Sequence, residues 1–533
     1  MRMNVPRPTP YIAAPRLWRW LAWAGFATVV AGAAILLATA PLVLAVGVVV
    51  APLVLVLALI DPIWALYIAV LAVPVQEVVT LPGGLSFIQA AFLLALATWA
   101  LHSLSTPYHP IRLGLPGYGL LALLWALLLA STFTRYDQTA ALTETLRWST
   151  VLLIYLLAVN RLVPLEAGLP AVRHSARRFA GLAACLLLAT ALNGMLGMGQ
   201  FFTGLGPLSF LVGDEFARAY GTIGQPNSFA GYMNMGWPLA AALTGGGCVA
   251  LLTYASQRST HQPGPYPRGV LLAIGGAGLA FCLQFGALLL TLSRGGWVGA
   301  AGGMLGLLLA TLIVNWRNVQ AYLGHALAGT LGVIGIGVGL GTSDLLPDFF
   351  TSRFLSIFNS LRLFDARTAM IDADNFAVVE RMAQMQAAWY MFLSEPLTGV
   401  GPGNFPIAYQ SQASGFAYLI HPWYSPQQHA HNYYLHIAAE AGLIGLAAYL
   451  LLLGLLAVQA WRTLRGVRGW FWQSLAIGSC GIIAAIAVHN LFENLHVLNM
   501  GVQLGSVWAM LVALDYRQHL IAEHDREQPQ ESV

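Results

Sequence analysis

The most informative stretch of the chain runs from residue 432 to residue 460 and reads NYYLHIAAEAGLIGLAAYLLLLGLLAVQA. A helix needs about 20 mostly apolar residues to cross a bilayer, and this stretch exceeds that length with one carboxylate, Glu440. Across all 533 residues, 58% are hydrophobic and 9% are charged, whereas a soluble protein is typically about a quarter charged. The sequence therefore predicts a membrane protein whose chain crosses the bilayer many times.

The whole chain contains further apolar segments of this kind. They predict an all-α, polytopic membrane helix bundle with about 14 spans, and 12–14 is the plausible range because the first three segments are closely spaced. The segments are 18–39, 41–60, 62–80, 85–104, 115–134, 138–161, 177–201, 227–254, 268–292, 295–314, 321–343, 432–460, 471–491 and 496–515.

The orientation follows from the basic residues, all of which are arginine. With the N-terminus in the cytoplasm, the short outer loops carry only Arg135, Arg218 and Arg294. The inner side then holds Arg2, Arg7, Arg16, Arg19, Arg112, Arg161, Arg173, Arg177, Arg178, Arg258, Arg268, Arg317, Arg462, Arg465, Arg468, Arg517 and Arg526. This asymmetry follows the positive-inside rule and predicts that both termini are cytoplasmic. The modest, dispersed charge of +4 gives no sign of a nucleic-acid partner.

One connection is far longer than the rest and divides the chain. Residues 1–343 are predicted to form an N-terminal bundle of about 11 spans, 344–430 a long outward-facing loop, 431–515 about three C-terminal spans, and 516–533 a polar cytoplasmic tail. Long connections of this kind are usually functional or disordered. This loop is rich in aromatic residues, leucine and methionine, so its composition argues against disorder.

The loop is predicted to be partly helical. Met382, Met385, Trp389 and Phe392 recur at helical spacing over 381–393. Glu395-Pro396 should end that helix, and the sequence Gly-Val-Gly-Pro-Gly-Asn-Phe at 399–405 predicts a glycine-rich turn.

The strongest local signal is His431-Asn432, where the loop re-enters the membrane. The positive end of a helix dipole favours a neutral imidazole over a charged one, and a neutral imidazole is what a general base needs near neutral pH. Ala438, Gly442 and Gly445 are expected to give a smooth face for close helix packing. Without other evidence, an interfacial histidine beside a packing seam explains the segment equally well.

Three histidines near the same place raise the alternative of a metal site. His421, His429 and His431 supply three imidazoles within eleven residues, but no acidic or cysteine ligand follows at ligand spacing. Because a transition-metal site needs three or four well-placed ligands, the expectation is that the protein holds no metal and uses no cofactor.

Further candidates lie in turns of the same predicted side. Arg294, in Ser293-Arg294-Gly295-Gly296, is suited to bidentate phosphate binding, although it also fits a helix-end anchor. Arg218 precedes Asn227 and Ser228, either of which can cap the next helix. Arg381 opens the loop helix, where a solvent-exposed face would explain it equally well.

An ionisable pair also lies inside the sixth predicted span. Glu144 and Arg147 are three residues apart, and ionisable residues within a span are functional candidates. A self-neutralising structural pair is the favoured interpretation.

Taken together, these residues resemble the O-antigen ligase and O-antigen polymerase superfamily. The resemblance rests on His431-Asn432, nine further residues, and then Gly442-Leu443-Ile444-Gly445. Supporting matches are Leu292 to Gly296, Gly221-Thr222 with Pro226-Asn227, and Pro396 to Phe405. Family ligases are commonly described with twelve spans, so the fourteen counted here leave the subclass open among ligases, polymerases and protein-glycosylating relatives.

The resemblance implies a metal-independent glycosyltransferase at the outer face of the cytoplasmic (inner) membrane. Its donor would be a glycan on a polyprenyl pyrophosphate carrier, and its acceptor a hydroxyl of lipid A core, of a glycan or of a protein. By this analogy His431, Arg294 and Arg381 are the catalytic residues: the arginines hold the pyrophosphate and His431 deprotonates the acceptor. The implied substrate-binding residues are Arg218, Asn432, Ser293, Tyr434 and Asn227.

The main alternative is a membrane transporter, for example of inorganic carbon or of a glycan. Transporters often show inverted repeats and broken helices at the midplane, and the sequence shows neither repeat nor midplane charge cluster. A purely structural scaffold would leave the gathering of arginines beside a helix-terminal histidine without a reason.

Overall fold

A computed structural model describes residues 42–76, 86–105, 110–163, 169–212, 216–258, 268–318, 324, 364–371, 375–410 and 429–527. The predicted span 18–39 lies outside the described residues, as does 321–343 apart from residue 324.

The described residues are almost entirely helical, as the sequence predicts. The helices are α1 (Leu42–Ile60), α2 (Ile63–Ala72), α3 (Phe87–Ser105), α4 (Gly114–Phe133), α5 (Gln138–Leu162), α6 (Leu169–Thr203), α7 (Pro226–Asn234), α8 (Trp237–Arg258), α9 (Arg268–Leu290), α10 (Arg294–Val314), α11 (Phe376–Ser394), α12 (Phe405–Gln410), α13 (Tyr433–Gly466), α14 (Trp470–His489) and α15 (Gly501–Glu527). Short 3-10 turns cover Val73–Val75, Leu208–Phe210 and Trp316–Asn318, and β1 (Leu211–Val212) pairs antiparallel with β2 (Phe216–Ala217).

Nine helical stretches in the described part of the chain are long and apolar enough to cross a membrane. They coincide with α3–α6, with α7 and α8 taken together, and with α9, α10, α13 and α14. The protein is therefore a polytopic helical membrane protein. Two predicted spans look different in the structure: 62–80 contains only the short α2 and its 3-10 turn, and 496–515 begins as a turn before α15 starts at Gly501.

Helix α15 has few exposed residues along its first half. Trp508, Met510 and Leu511 are at most 3% exposed, and the helix packs against α5, α13 and α14. A helix that is buried on all sides belongs in the centre of a bundle. The helix also continues through the first part of the predicted polar tail, to Glu527.

Glycines let α10 and α14 approach closely. A Cβ at Gly299 would lie 2.7 Å from the His489 Cβ, and one at Gly302 would lie 2.6 Å from a methyl carbon of Val488. Small residues at helix interfaces allow the backbones to come within such distances in a membrane. This packing fixes the start of α10 beside the end of α14.

The loop helix and the glycine turn are both present, and the loop is fastened to the bundle. Helix α11 begins at Phe376, five residues before the predicted start, and ends at Ser394. Asn404 accepts a hydrogen bond from the Asp137 backbone nitrogen and donates to the Asp137 carbonyl, both at 3.0 Å. Asp137 in turn caps α5 by accepting from the Thr139 nitrogen at 2.7 Å.

The glycine turn docks into a break in α13 at Gly442, where φ is +63°. The backbone nitrogens of Val400 and Gly401 donate to the carbonyls of Ala439 and Glu440, each at 2.9 Å. A Cβ at Gly442 would lie 2.2 Å from the Leu397 carbonyl oxygen. The prediction of Gly442 as part of a helix-packing face is therefore wrong: its small size and its left-handed backbone admit the loop.

Candidate functional site

The start of α10 is held in a defined geometry. Ser293 caps the helix, and its Oγ accepts a hydrogen bond from the Gly296 nitrogen at 3.2 Å. A Cβ at Gly295 would lie 3.2 Å from Cδ2 of His489 and 3.0 Å from the Cβ of Phe492. Glycine at this position therefore lets the residues after α14 come close to Arg294.

The start of α13 lies beside the same residues. Asn432 caps α13, because its Oδ1 accepts from the Leu435 nitrogen at 3.0 Å. The Tyr433 nitrogen donates to the Asn490 carbonyl at 2.8 Å, which ties α13 to the end of α14. The role of Asn432 in the structure is thus to fix the backbone that carries His431.

Glu493 brings two histidines together. Its Oε1 lies 3.0 Å from Nδ1 of His431 and 3.3 Å from Nε2 of His429. The Glu493 side chain is 4% exposed. The distance to His431 is that of an ion pair, although Nδ1 makes no aligned hydrogen bond within the described part of the chain.

Both ring nitrogens of His429 face a partner. Its Nδ1 accepts from the His431 backbone nitrogen at 3.2 Å, so the ring hydrogen of the neutral form lies on Nε2, which faces Glu493. His431 instead turns Nδ1 to the carboxylate, which leaves Nε2 as the basic atom when the ring is neutral. Of the two imidazoles, His431 is the one that can accept a proton.

The charges of this group are set by burial and by neighbours. Burial alone would raise the pKa of Glu493, but the positive charges of His431, His429 and Arg381 hold that pKa below its usual range. Burial lowers the pKa of His429 to about 4, against the opposing effect of Glu493. Near neutral pH the site therefore contains an ionised carboxylate and a neutral His429.

Arginines from the turn and from the loop line one cavity beside these residues. The cavity has a volume of about 170 Å³. Its lining includes the predicted residues Asn227, Ser293, Arg294, Arg381 and His431, together with Glu493 and His489. Residues of α11 at helical spacing, Val378, Arg381, Met382 and Met385, form one wall.

His489 contributes a ring N–H donor that has no partner among the described residues. Asn234 accepts from the Trp237 indole at 2.8 Å, so its amide nitrogen faces the Gly296 carbonyl at 3.0 Å and Nδ1 of His489 at 3.4 Å. Nδ1 must then be an acceptor, which puts the ring hydrogen of neutral His489 on Nε2. That atom is buried and has no hydrogen-bond partner among the described residues, and His489 lines the cavity.

Arg218 supports the cavity from outside. Its Nε donates to the Thr291 carbonyl at 2.8 Å, and its Nη2 donates to Oδ1 of Asn227 at 3.2 Å. Neither Asn227 nor Ser228 caps α7, contrary to the prediction. Gln225 does so by accepting from the Asn227 nitrogen at 2.7 Å.

Three other residues that the sequence singled out lie outside the lining of this cavity. The Tyr434 hydroxyl donates to the Ala487 carbonyl at 2.8 Å, so this side chain fastens α13 to α14 and is not among the residues that line the cavity. Arg147 and Glu144 form an ion pair of 2.6 Å, as the favoured interpretation of that pair requires.

Backbone strain is concentrated around the site. In the part of the chain that the structure describes, the non-glycine residues with positive φ are Leu292, His431, Leu498 and Asn499, at 50° to 53°. Each such residue costs about 1–3 kcal/mol and persists only where the surroundings enforce it. One is His431 itself, and Leu292 directly precedes the Ser293-Arg294 turn.

The same group of side chains has the composition of a metal site. One ligand atom each from His429, His431 and Glu493 lie within 4.8 Å of one another. No acidic ligand follows these histidines at ligand spacing in the sequence, but the fold brings Glu493 to them from a distant part of the chain. The observed distances of 3.0 and 3.3 Å also suit direct contacts between imidazole and carboxylate.

Glu493 and His489 are the site residues that the sequence argument missed. A signal was available: Glu493 is the acidic residue in the short connection between the predicted spans 471–491 and 496–515. In the predicted order of spans, this connection lies on the same side of the membrane as His431.

The fold and the site together define a polytopic helical membrane protein with a cationic, histidine-containing cavity at one end of the bundle. Residues 279–450 match the family model described as O-antigen ligase, and this match supports the resemblance of the chain to the O-antigen ligase and polymerase superfamily. The match covers about a third of the chain and includes Arg294, Arg381 and His431, whereas His489 and Glu493 lie beyond it. No curated protein matches the chain.

Proposed function

We propose that the protein is a membrane glycosyltransferase that takes a glycan from a polyprenyl pyrophosphate carrier and transfers it to a hydroxyl acceptor. The family implies a lipid-linked glycan and a bilayer. The observation that carries the proposal is His431 beside Glu493 in a cavity that also contains Arg294 and Arg381. The arrangement combines a general base with cations suited to phosphate.

The size of the cavity supports a phosphate ligand. Sites for whole small molecules usually measure about 300–1,000 Å³, and this cavity measures about 170 Å³. It therefore suits the pyrophosphate group and the reacting bond better than a complete glycan. Arg294 and Arg381 would balance the phosphate charge, and Nε2 of His489 would donate a further hydrogen bond to a phosphate oxygen.

The reaction follows from these positions. Nε2 of His431 takes the proton of the acceptor hydroxyl, and the acceptor oxygen forms a bond to the anomeric carbon of the donor sugar. The bond from that carbon to the diphosphate oxygen breaks, and polyprenyl pyrophosphate leaves with the bonding electrons. Glu493 stabilises the imidazolium that forms, as a carboxylate does beside a catalytic histidine. The proton then passes from His431 to solvent.

We place this reaction at the outer face of the cytoplasmic membrane, with both chain termini in the cytoplasm. The arginine distribution supports this orientation through the positive-inside rule. Transfer in this mechanism needs no metal, because arginines and a histidine N–H balance the charge of the leaving group. A chelator should leave the transfer rate unchanged. A loss of activity that added Zn²⁺ restores would instead assign His429, His431 and Glu493 to a metal.

The test is transfer from a polyprenyl-pyrophosphate glycan by the purified protein in nanodiscs. His431→Ala and Arg294→Ala should each lower the rate by at least roughly a thousandfold. Matched controls are His519→Ala, whose side chain is 74% exposed, and Arg367→Ala on the loop surface. Imidazole added to His431→Ala should restore part of the rate. Full activity of His431→Ala would exclude it as the base.

A further inference from the structure

A second and larger cavity lies on the other side of the two site histidines. Its volume is about 590 Å³, which is in the usual range for a small-molecule site. His429 lines this cavity, whereas His431, two residues later, lines the smaller one. Likewise, Ser228 lines the larger cavity and its neighbour Asn227 lines the smaller one. The two cavities are therefore separated by a wall that contains the site histidines.

The polar groups that line this cavity are mostly uncharged. Gln89 of α3, Thr143 and Thr150 of α5, and Gln225 supply amides and hydroxyls. The charge of Arg147, which also lines it, is balanced by Glu144 at 2.6 Å. The smaller cavity instead contains two arginines. An anionic group is therefore favoured in the small cavity and a neutral hydrogen-bonding group in the large one.

Apolar side chains complete the lining. Ile88, Phe92 and Val497 provide surfaces against which the C–H face of a sugar ring can pack. Amides and hydroxyls beside such surfaces match a pyranose, which carries both hydroxyl and C–H groups. A polyprenyl chain would instead offer no partner to the remaining hydrogen-bonding atoms of these side chains, at a cost in free energy.

The rigid backbone at one edge of the cavity supports a built site. Leu498 and Asn499 line it, and both have positive φ. The Asn499 amide donates to Oε1 of Gln76 at 2.9 Å, and the Gln76 amide donates to the Leu498 carbonyl. The backbone at this edge is thus held in place by side chains that also line the cavity. The shape of the cavity therefore cannot adapt freely to different ligands.

We infer that the larger cavity is the binding site for the acceptor saccharide, which approaches His431 from the side opposite to the pyrophosphate. The inference rests on the proposed function for the role of acceptor, but the cavity's affinity for a neutral saccharide can be measured without turnover. The hydroxyl that reacts would reach His431 next to His429 and Ser228, which line the larger cavity two residues and one residue away from His431 and Asn227 of the smaller one. The acceptor would then be selected by hydrogen bonds from amides and hydroxyls, with no requirement for a charged sugar.

The test uses the full-length protein in nanodiscs and two isosteric changes. Thr143 and Thr150 each already donate to a backbone carbonyl of α5, at 2.8 and 3.2 Å, so their replacement by valine removes hydroxyl oxygens that can accept from a ligand. The matched control is Thr139→Val, on the same helix with an exposed side chain that is not among those lining the cavity. Two sets of glycans labelled at the reducing end serve as probes. Glycans that mild acid releases from the lipid-linked saccharides of the source cells represent the acceptor of a polymerase, and core oligosaccharides that mild acid releases from lipid A represent the acceptor of a ligase.

The wild-type protein and the Thr139→Val variant should bind the labelled glycans equally, and the Thr143→Val/Thr150→Val double variant should bind them roughly tenfold more weakly. In the transfer assay the same double variant should raise the KM for the acceptor by a similar factor and leave the KM for the lipid-linked donor unchanged.

Three outcomes would overturn the inference: no binding of the glycans, equal binding by all variants, or displacement of the glycans by polyprenyl phosphate that carries no sugar. Glycan binding that follows this pattern in a protein without transfer activity would refute the proposed function and retain the saccharide site.

Discussion

Replacement of Glu493 by glutamine is the most informative perturbation of the proposed mechanism. The change keeps the size of the side chain and removes its charge. Oε1 of Glu493 lies 3.0 Å from Nδ1 of His431, and both side chains are largely buried, at 4% and 13% exposure. The carboxylate therefore acts on the imidazolium that forms when His431 takes the acceptor proton.

The magnitude follows from that distance. Two unit charges 3.0 Å apart attract by about 5 kcal/mol at an effective dielectric constant of ~20. The cost of keeping Glu493 desolvated offsets part of this attraction, so the net loss of transition-state stabilisation should be about 3–5 kcal/mol. Because each 1.36 kcal/mol is tenfold in rate, kcat should fall by roughly 10² to 10⁴.

The assay is transfer kinetics with purified protein, with kcat and the KM of the donor measured separately. We expect the KM to change little, because Arg294 and Arg381 still hold the pyrophosphate. The control is Glu395→Gln: this carboxylate faces Arg135 at 3.3 Å on the loop surface, and an exposed pair of this kind contributes little. A folded Glu493→Gln protein with kcat within threefold of wild type would refute the role of Glu493.

Two further predictions concern stability. Histidine in an unfolded chain has a pKa of about 6.5, whereas the pKa of His429 in the folded protein is about 4. Between these two pH values the unfolded chain binds a proton at this residue and the folded chain does not. The free energy of unfolding should therefore fall by up to about 3 kcal/mol as the pH is lowered through this window. The unfolding midpoint of His429→Gln should vary less between pH 7.5 and pH 5, and an unchanged slope would contradict the burial of a neutral imidazole. Gly442→Ala should cost several kcal/mol, because its φ is +63° and its Cβ would lie 2.2 Å from the Leu397 carbonyl oxygen. Gly454→Ala on the same helix, with no atom within 4 Å of its Cβ, should be neutral or stabilising, and equal effects of the two changes would argue against loop docking at the break.

Much of the fold could be predicted because the bilayer imposes a strong rule on sequence. Long apolar runs predicted the helices α3–α10, α13 and α14, since every backbone polar group in lipid must be paired within a helix. The spacing of Met382 and Met385 predicts the loop helix, and Pro396 predicts where that helix ends. The break in α13 was not predictable: a glycine in an apolar run has the same appearance whether it packs a helix or admits a loop.

The site was predictable in part for a similar reason. His431, Arg294 and Arg381 stand out because charged and imidazole groups are rare in this chain. Tertiary packing, which the sequence does not show directly, brings these three residues into one cavity. It also places Glu493, from a turn about sixty residues after His431, in contact with His431. The donor role of His489 depends on the orientation of the Asn234 amide, which no sequence pattern encodes.

The most direct measurement of the central claim is a cryo-electron microscopy map of the wild-type protein in nanodiscs with a non-transferable polyprenyl-pyrophosphate glycan. We expect pyrophosphate density in the smaller cavity, with its oxygens within hydrogen-bond distance of Arg294, Arg381 and Nε2 of His489, and with the anomeric carbon facing His431. Pyrophosphate density at any other place, with the smaller cavity free of phosphate, would refute the proposed binding of the donor.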